Sequence, residues 1–247
     1  MIIDEKHIRE IIRNSLIKEI GFSGIKSSAS SSSSSSSSSD FQEDEKLGEE
    51  GAHLNFKYVS IPNEQAARKA ESEMAAWAGK KEKDPTVKEK LTAYWSNIKD
   101  IFKQDPEVSI NKSEPWSAAF ISYVMNDPFF RSSAHITWKN KAEKNTAAVK
   151  ANPASFAGKE TYILLPIDNN VKLERGDNVW APREGGPNKS HSDVVVSPTE
   201  VIGGNVSDSV GKKKVNHPFV IKKVKIIGPV ENSNPASSEE AKKTSDA

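Results

Sequence analysis

The stretch KANPASFAGKETYILLP, Lys150 to Pro166, divides the chain into two kinds of sequence. Before Asn152-Pro153 apolar residues recur at helical spacing, and after it come short β-branched runs separated by Gly, Pro and Asn. The runs are Tyr162 to Leu165, Asn178 to Ala181, Asp193 to Val196, Glu200 to Ile202 and Phe219 to Ile227. They read as a small antiparallel sheet. Upstream, Ala67, Ala70, Met74, Trp77 and Ala78 form one helical face. Val87, Leu91, Tyr94, Trp95, Ile98, Ile101 and Phe102 form a second, and Asp84-Pro85-Thr86 separates the two. These helices should pack on each other. A third helix opens after Pro115, carries Ala118, Ala119, Phe120, Ile121 and Val124, and stops at Asn126-Asp127-Pro128. A fourth is expected from about Ser133 to Val149. Helices first and strands second predict an α+β domain whose helical layer covers one face of the sheet.

That domain is expected over residues 56–230. Residues 1–20 place Ile8, Ile11, Ile12, Leu16 and Ile20 on one face of an amphipathic helix, which needs a partner surface. Residues 21–55 read as a linker: Ser27 to Ser39 is interrupted only by Ala29, and an acidic stretch from Asp40 to Glu50 prolongs it. Residues 231–247, rich in Ser, Glu, Lys and Asn, read as a polar tail. A length of 247 with 35% hydrophobic and 28% charged residues fits one principal domain with such appendages.

Composition also excludes whole classes of function. The apolar runs are a few residues long and the start, MIIDEKHIREIIR, is charged throughout, so neither a membrane span nor a signal-peptide core is expected. Lys+Arg 35 against Asp+Glu 34 leaves a net charge of +1, which gives no electrostatic reason to expect nucleic acid as partner. The absence of cysteine rules out disulfides, thiolate metal sites and a cysteine nucleophile. His135, His191 and His217 lack the local pairing of an HExxH-type site, so neither a metal nor another cofactor is expected.

Pro115-Trp116-Ser117 opens the third helix, His191 begins the strand HSDVVV, and Asn205 closes the next strand in VIGGN. A hydroxyl at a helix start, an imidazole on a strand and a polar orienter follow the order of an acyl-transfer site, because the helix's free N–H groups and positive end favour developing negative charge. A helix-cap hydroxyl fits the same position. Six strings carry a resemblance over most of the body: AESEMAAWAGKKEKDPTVKEKLTAYW (Ala70 to Trp95), PWSAAFISYVM (Pro115 to Met125), SSAH (Ser132 to His135), LERGDNVWAPR (Leu173 to Arg183), HSDVVV (His191 to Val196) and VIGGNVSDSV (Val201 to Val210). In this order they resemble the domain of unknown function 2272, grouped with the NlpC-type and CHAP-type cell-wall hydrolases of papain-like fold.

The resemblance implies a peptidoglycan amide hydrolase in which a cysteine opens the helix. Here Trp116-Ser117-Ala118-Ala119-Phe120 stands at that place, so either Trp116 occupies the cysteine's position and the site is dead, or Ser117 serves. The relatives' Gly-Asp turn matches Gly176-Asp177 and their histidine matches His191. Their third polar residue corresponds to Asn205, with Asp193, on the same strand face as His191, competing for the role. A serine hydroxyl resembling water, with pKa ~15.7, lies on the order of 12 kcal/mol from ionising at pH 7. Ser117 is therefore expected to act only if His191 takes its proton during attack, with helix N–H groups as the oxyanion hole.

Trp116, His135, Trp180 and Gly204 are candidate pocket residues. Each has a structural alternative: core aromatics for the two tryptophans, a structural role in the fourth helix for His135, and a strand bulge for Gly203-Gly204. Asp177 reads as a turn residue. Two further outcomes stay open, a catalytically inactive binding or structural module and an esterase acting on acylated glycans. KHIREIIRNSLIKE with Ile17-Lys18-Glu19 resembles leader peptides of tailed-bacteriophage proteins. That resemblance implies a virion protein partner for the first helix and a location in the virion or host cytoplasm.

Overall fold

Lys222 is fully buried on the face of a strand that otherwise buries Val220, Val224 and Ile226, and the architecture explains how a lysine comes to sit there. The computed structural model describes residues 54–184 and 189–230. The expected N-terminal helix, the serine-rich and acidic linker up to residue 53 and the tail from 231 lie outside the described residues. What is described is α+β, with a helical part and an open antiparallel sheet. Its helices are α1 (Glu64–Trp77), α2 (Lys88–Ser96), α3 (Lys99–Phe102), α4 (Pro106–Asn111), α5 (Ser117–Met125) and α6 (His135–Ala151). The strands are β1 (Phe56–Ser60), β2 (Glu160–Pro166), β3 (Asn178–Pro182), β4 (Ser190–Ser197), β5 (Glu200–Val206), β6 (Ser209–Lys214) and β7 (Phe219–Pro229).

The sheet runs β1-β7-β3-β4-β5-β6, with β2 also on β7. Two strands are absent from the sequence reading. A strand, β1, precedes the helices and pairs with the last strand, Phe56 opposite Pro229. β6, SVGKKK, is a strand although half its residues are Lys, because it lies at the sheet edge with only its inner side chains covered. The single long helix expected from Val87 to Phe102 is broken. Ile98 leaves helical geometry (φ −123°) and turns fully into the core, and the Asn97 carbonyl accepts instead from Arg131 at 3.0 Å. α4 was not expected; Asp105 caps it and Pro106 opens it.

Both faces of the sheet are buried, where one was expected to be covered. Val194, Val196, Ile202 and Ile221 pack under α1, α2, α5 and α6. Val179, Val195, Val201, Val220, Val224 and Ile226 form a second core with Phe56, Ile163, Leu165 and Leu173. α1 and α2 pack as predicted: Trp77 Nε1 donates to the Tyr94 hydroxyl at 2.8 Å, and that hydroxyl donates to Glu73 at 2.6 Å.

The Gly-Asp turn is where Lys222 finds its partners. Lys222 Nζ donates to Asp177 Oδ2 at 2.8 Å, Glu174 Oε2 at 3.0 Å and the Lys172 carbonyl at 2.8 Å. Asp177 also accepts the Glu174 N–H at 2.9 Å, the role expected of a turn residue. Burial pushes the Asp177 carboxyl up to about 6 although Lys222 pulls the other way. Gly176 has φ +87° and a Cβ there would stand 1.9 Å from the Asn63 carbonyl oxygen at the start of α1. Among the described residues no helix is long and apolar enough to cross a membrane.

Candidate active site

Ser117 is the first residue of α5, and Trp116 at its N-cap gives the helix no side-chain capping bond. The N–H groups of Ser117, Ala118 and Ala119 therefore have no acceptor within the helix, in a place where Ala118 and Ala119 are buried. Orphan N–H groups in a dry environment are costly unless a ligand oxygen takes them. The helix is pinned from its other side by Ser122, whose hydroxyl donates to the Phe130 carbonyl at 2.7 Å and accepts the Ser132 N–H at 3.2 Å. That contact fixes the Ser132-Ser133-Ala134-His135 string. Ser132 Oγ then accepts the Ala134 N–H at 3.1 Å, and the chain enters α6 with His135 as its first residue.

Two helix starts thus meet. Ser117 Oγ and His135 Nε2 are 2.7 Å apart and both side chains are buried. The ring that the sequence reading assigned to Ser117, His191, is instead held by Asp193: His191 Nε2 donates to Asp193 Oδ1 at 2.9 Å. The two imidazoles are neighbours, with ring centroids 5.6 Å apart. Of the two orienters proposed for His191, the structure engages Asp193. Asn205 sits at positive φ (58°) in the β5 bulge, only partly buried, and neither imidazole bonds to its side chain. An αL residue in a bulge is turned out of the alternation that would have aimed it at its neighbour strand.

Asp193 has two partners that sequence reasoning missed. Its second oxygen lies 2.7 Å from His217 Nε2 and 3.0 Å from Lys213 Nζ. Lys213 lies opposite Val201 on β6, a strand absent from the sequence reading, so its inward position was hidden. His217, in the connection between β6 and β7, carries no periodic signal. Burial alone would raise the Asp193 carboxyl, yet the hydrogen bonds from His191 and His217 and the charge of Lys213 outweigh it and hold it well below the usual carboxylate range. Burial lowers both imidazoles, His135 to about 3, with the neighbouring His191 adding to the effect there. Among the described residues no group of three or more His, Asp or Glu is placed to hold a metal ion.

The remaining candidates frame this site. Trp116 stacks on Trp77 (centroids 4.8 Å) and donates to Glu82 at 2.8 Å, so it is a core aromatic whose edge borders a cleft of about 330 Å³ with Leu91, Trp95 and Ile110. Trp180 is buried beneath Lys139 of α6, its Nε1 without a partner. Gly204 lets α5 approach β5, for a Cβ there would lie 2.5 Å from the Phe120 Cβ. Gly203 faces the charged cluster: a Cβ would stand 1.7 Å from Asp193 Oδ1 and 3.3 Å from His191 Nε2. Gly203→Ala is accordingly expected to push the carboxylate off His191 and to cost about 1–3 kcal/mol, read by chemical unfolding, with the His191 ring resonances shifted in NMR spectra.

The buried neutral His135 has a pH signature. Its folded pKa lies below the unfolded value near 6.5, so the unfolded chain binds the extra proton between about pH 3 and 6.5. The stability it contributes is complete above pH 6.5 and is lost as pH falls through that window, at up to about 1.4 kcal/mol per pH unit. Asp177, protonated in the folded state up to about pH 6, slopes the other way. The His135 part is therefore isolated as a difference: the stability gap between the wild type and His135→Gln should shrink as pH is lowered from 6.5 toward 4 in urea titrations. A gap constant with pH would contradict the assignment.

A family model described as "Uncharacterized protein conserved in bacteria (DUF2272)" matches residues 67–226, which is more than half of the chain and includes every residue of this site. Neither a curated protein nor a solved structure matches it.

Proposed function

The chain belongs to the DUF2272 family, and on that premise we propose that it is a serine hydrolase of papain-like, NlpC-type architecture that cleaves an amide bond in bacterial peptidoglycan. Ser117 is the nucleophile and His135 its base. The observation that carries the reading is the 2.7 Å contact between Ser117 Oγ and His135 Nε2 at a helix start whose N–H groups are free. The hydroxyl passes its proton to His135 Nε2 while Oγ attacks the carbonyl carbon. The N–H groups of Ala118 and Ala119 receive the oxyanion, where each such donor is typically worth about 10²–10³ in rate. His135 then protonates the leaving nitrogen, and the same base activates the water that releases the acyl group from Ser117.

One observation favours a second reading, a catalytically inactive member kept as a binding or structural module of a phage particle. Ser117 is only 6% exposed, which a helix-start hydroxyl satisfied by His135 would also explain. Incubation of the full chain with purified peptidoglycan separates the readings: new primary amines support the amide hydrolase, acetate without amines supports a glycan esterase, and neither product supports the inert module.

A further inference from the structure

The two buried imidazoles engage their partners through the same ring atom and leave the same atom unused. His135 contacts Ser117 and His191 contacts Asp193, each through Nε2. Both Nδ1 atoms are buried without a hydrogen-bond partner. Which of these carries a hydrogen follows from the partners. An ionised carboxylate only accepts, so His191 Nε2 is protonated and, in the neutral ring, its Nδ1 is a bare acceptor. A base that is to take the Ser117 proton must have a bare Nε2, so the neutral His135 carries its hydrogen on Nδ1. An unpaired donor and an unpaired acceptor therefore lie on rings 5.6 Å apart, out of reach of bulk water.

We infer that His135 and His191 form a two-imidazole proton relay behind Ser117, joined at their Nδ1 atoms through one bridging water. This rests on the serine-hydrolase reading above. As the Ser117 oxygen forms its bond to the acyl carbon, its proton moves to His135 Nε2 and the His135 Nδ1 proton moves to His191 Nδ1. His135 ends neutral, and the positive charge resides on His191 against the Asp193 carboxylate, opposite the oxyanion's negative charge at α5. The return transfers give the proton back through His135 Nε2 to the leaving nitrogen, restoring both rings. His191 thus does for His135 what a carboxylate does for the histidine of a serine-protease triad. The charged groups facing the relay are Asp193 on β4, Lys213 on β6, His217 before β7 and Arg183 at the end of β3. Of these only Asp193 is anionic, which makes it the group that positions and stabilises the charged His191. His217 and Lys213 hold its other oxygen and are positioning residues.

The tautomers are read directly on the full chain labelled with ¹⁵N, by long-range ¹H–¹⁵N spectra at pH 7.5. The relay requires His135 protonated on Nδ1 and His191 protonated on Nε2; His135 carrying its proton on Nε2, or His191 on Nδ1, overturns it. Kinetics supply a second reading. His191→Gln should lower kcat about 10²-fold with KM retained, and should move the acid limb of the kcat/KM profile to higher pH because His135 then titrates without a cationic neighbour. An unmoved limb with unchanged kcat also overturns the relay. The two proposals fail separately: hydrolysis that persists in Ser117→Ala removes the serine mechanism whatever the tautomers, whereas Ser117-dependent hydrolysis with the wrong tautomers removes the relay alone.

Discussion

On the proposed serine mechanism, peptidoglycan digestion by the Ser117→Ala chain is expected to fall by about 10⁴-fold or more, to the background that an oxyanion hole and binding alone can support. The change in stability should be small beside it. Losing the hydroxyl leaves His135 Nε2 buried without a partner, a penalty of about 1–3 kcal/mol, and the variant should still unfold cooperatively. The pair of readouts matters, because a hydroxyl that only caps α5 would give the second effect without the first. Ser117→Cys sharpens the distinction. The chain has no cysteine of its own, so the introduced thiol is a unique label. At a helix start beside an imidazole its pKa should fall below the ordinary ~8.5, giving turnover well above Ser117→Ala and rapid inactivation by iodoacetamide. A thiol that reacts no faster than free cysteine, with digestion unchanged in Ser117→Ala, would refute the nucleophile assignment.

Replacing Lys222 by methionine is expected to cost the fold about 3–5 kcal/mol, and to lower the melting temperature by on the order of 10 °C. The lysine is fully buried and gives hydrogen bonds to two carboxylates and a carbonyl. Methionine fills most of its volume, so the loss comes from Asp177, left in a dry turn with no cation. The sign is checked by the double variant: Lys222→Met with Asp177→Asn removes the stranded acid while an amide oxygen can still accept the Glu174 N–H, and should recover much of the loss. Thermal unfolding followed by circular dichroism decides the matter. A single variant within about 1 kcal/mol of wild type would mean that the buried pair contributes little.

Parts of this organisation are readable from the residues alone, and the reasons differ from part to part. α5 and its stop at Asn126 follow from an apolar run bounded by Pro115 and Asn126-Asp127-Pro128, since such punctuation acts locally. The pairing of His191 with Asp193 follows from the two-residue period of a strand. Lys222 was equally open to that test: it stands in line with Val220, Val224 and Ile226, so an alternation count places it inward. The choice of His135 over His191 for Ser117 was not open to it. Two helix starts, 18 residues apart, meet because Ser122 clamps the intervening turn, and a tertiary clamp leaves no period to count. The break at Ile98 is hidden for a similar reason. Its apolar spacing suits a continuous helix, and only the competition of Arg131 for the Asn97 carbonyl, with Ile98 drawn into the core, ends it.

The pairing of β1 with β7 has a consequence for how the molecule is made. Phe56 lies opposite Pro229, and the Val230 N–H donates to the Asn55 carbonyl at 3.1 Å, so this ladder joins residues more than 160 positions apart. β7 also carries β2 and β3. A nascent chain still lacking residues 219–229 has β1, β2 and β3 synthesised but no strand between them to accept their backbone groups. Completion of the sheet must await almost the last of the domain to leave the ribosome, and the high contact order of that step predicts slow closure, with exposed edges that are open to capture by other chains meanwhile.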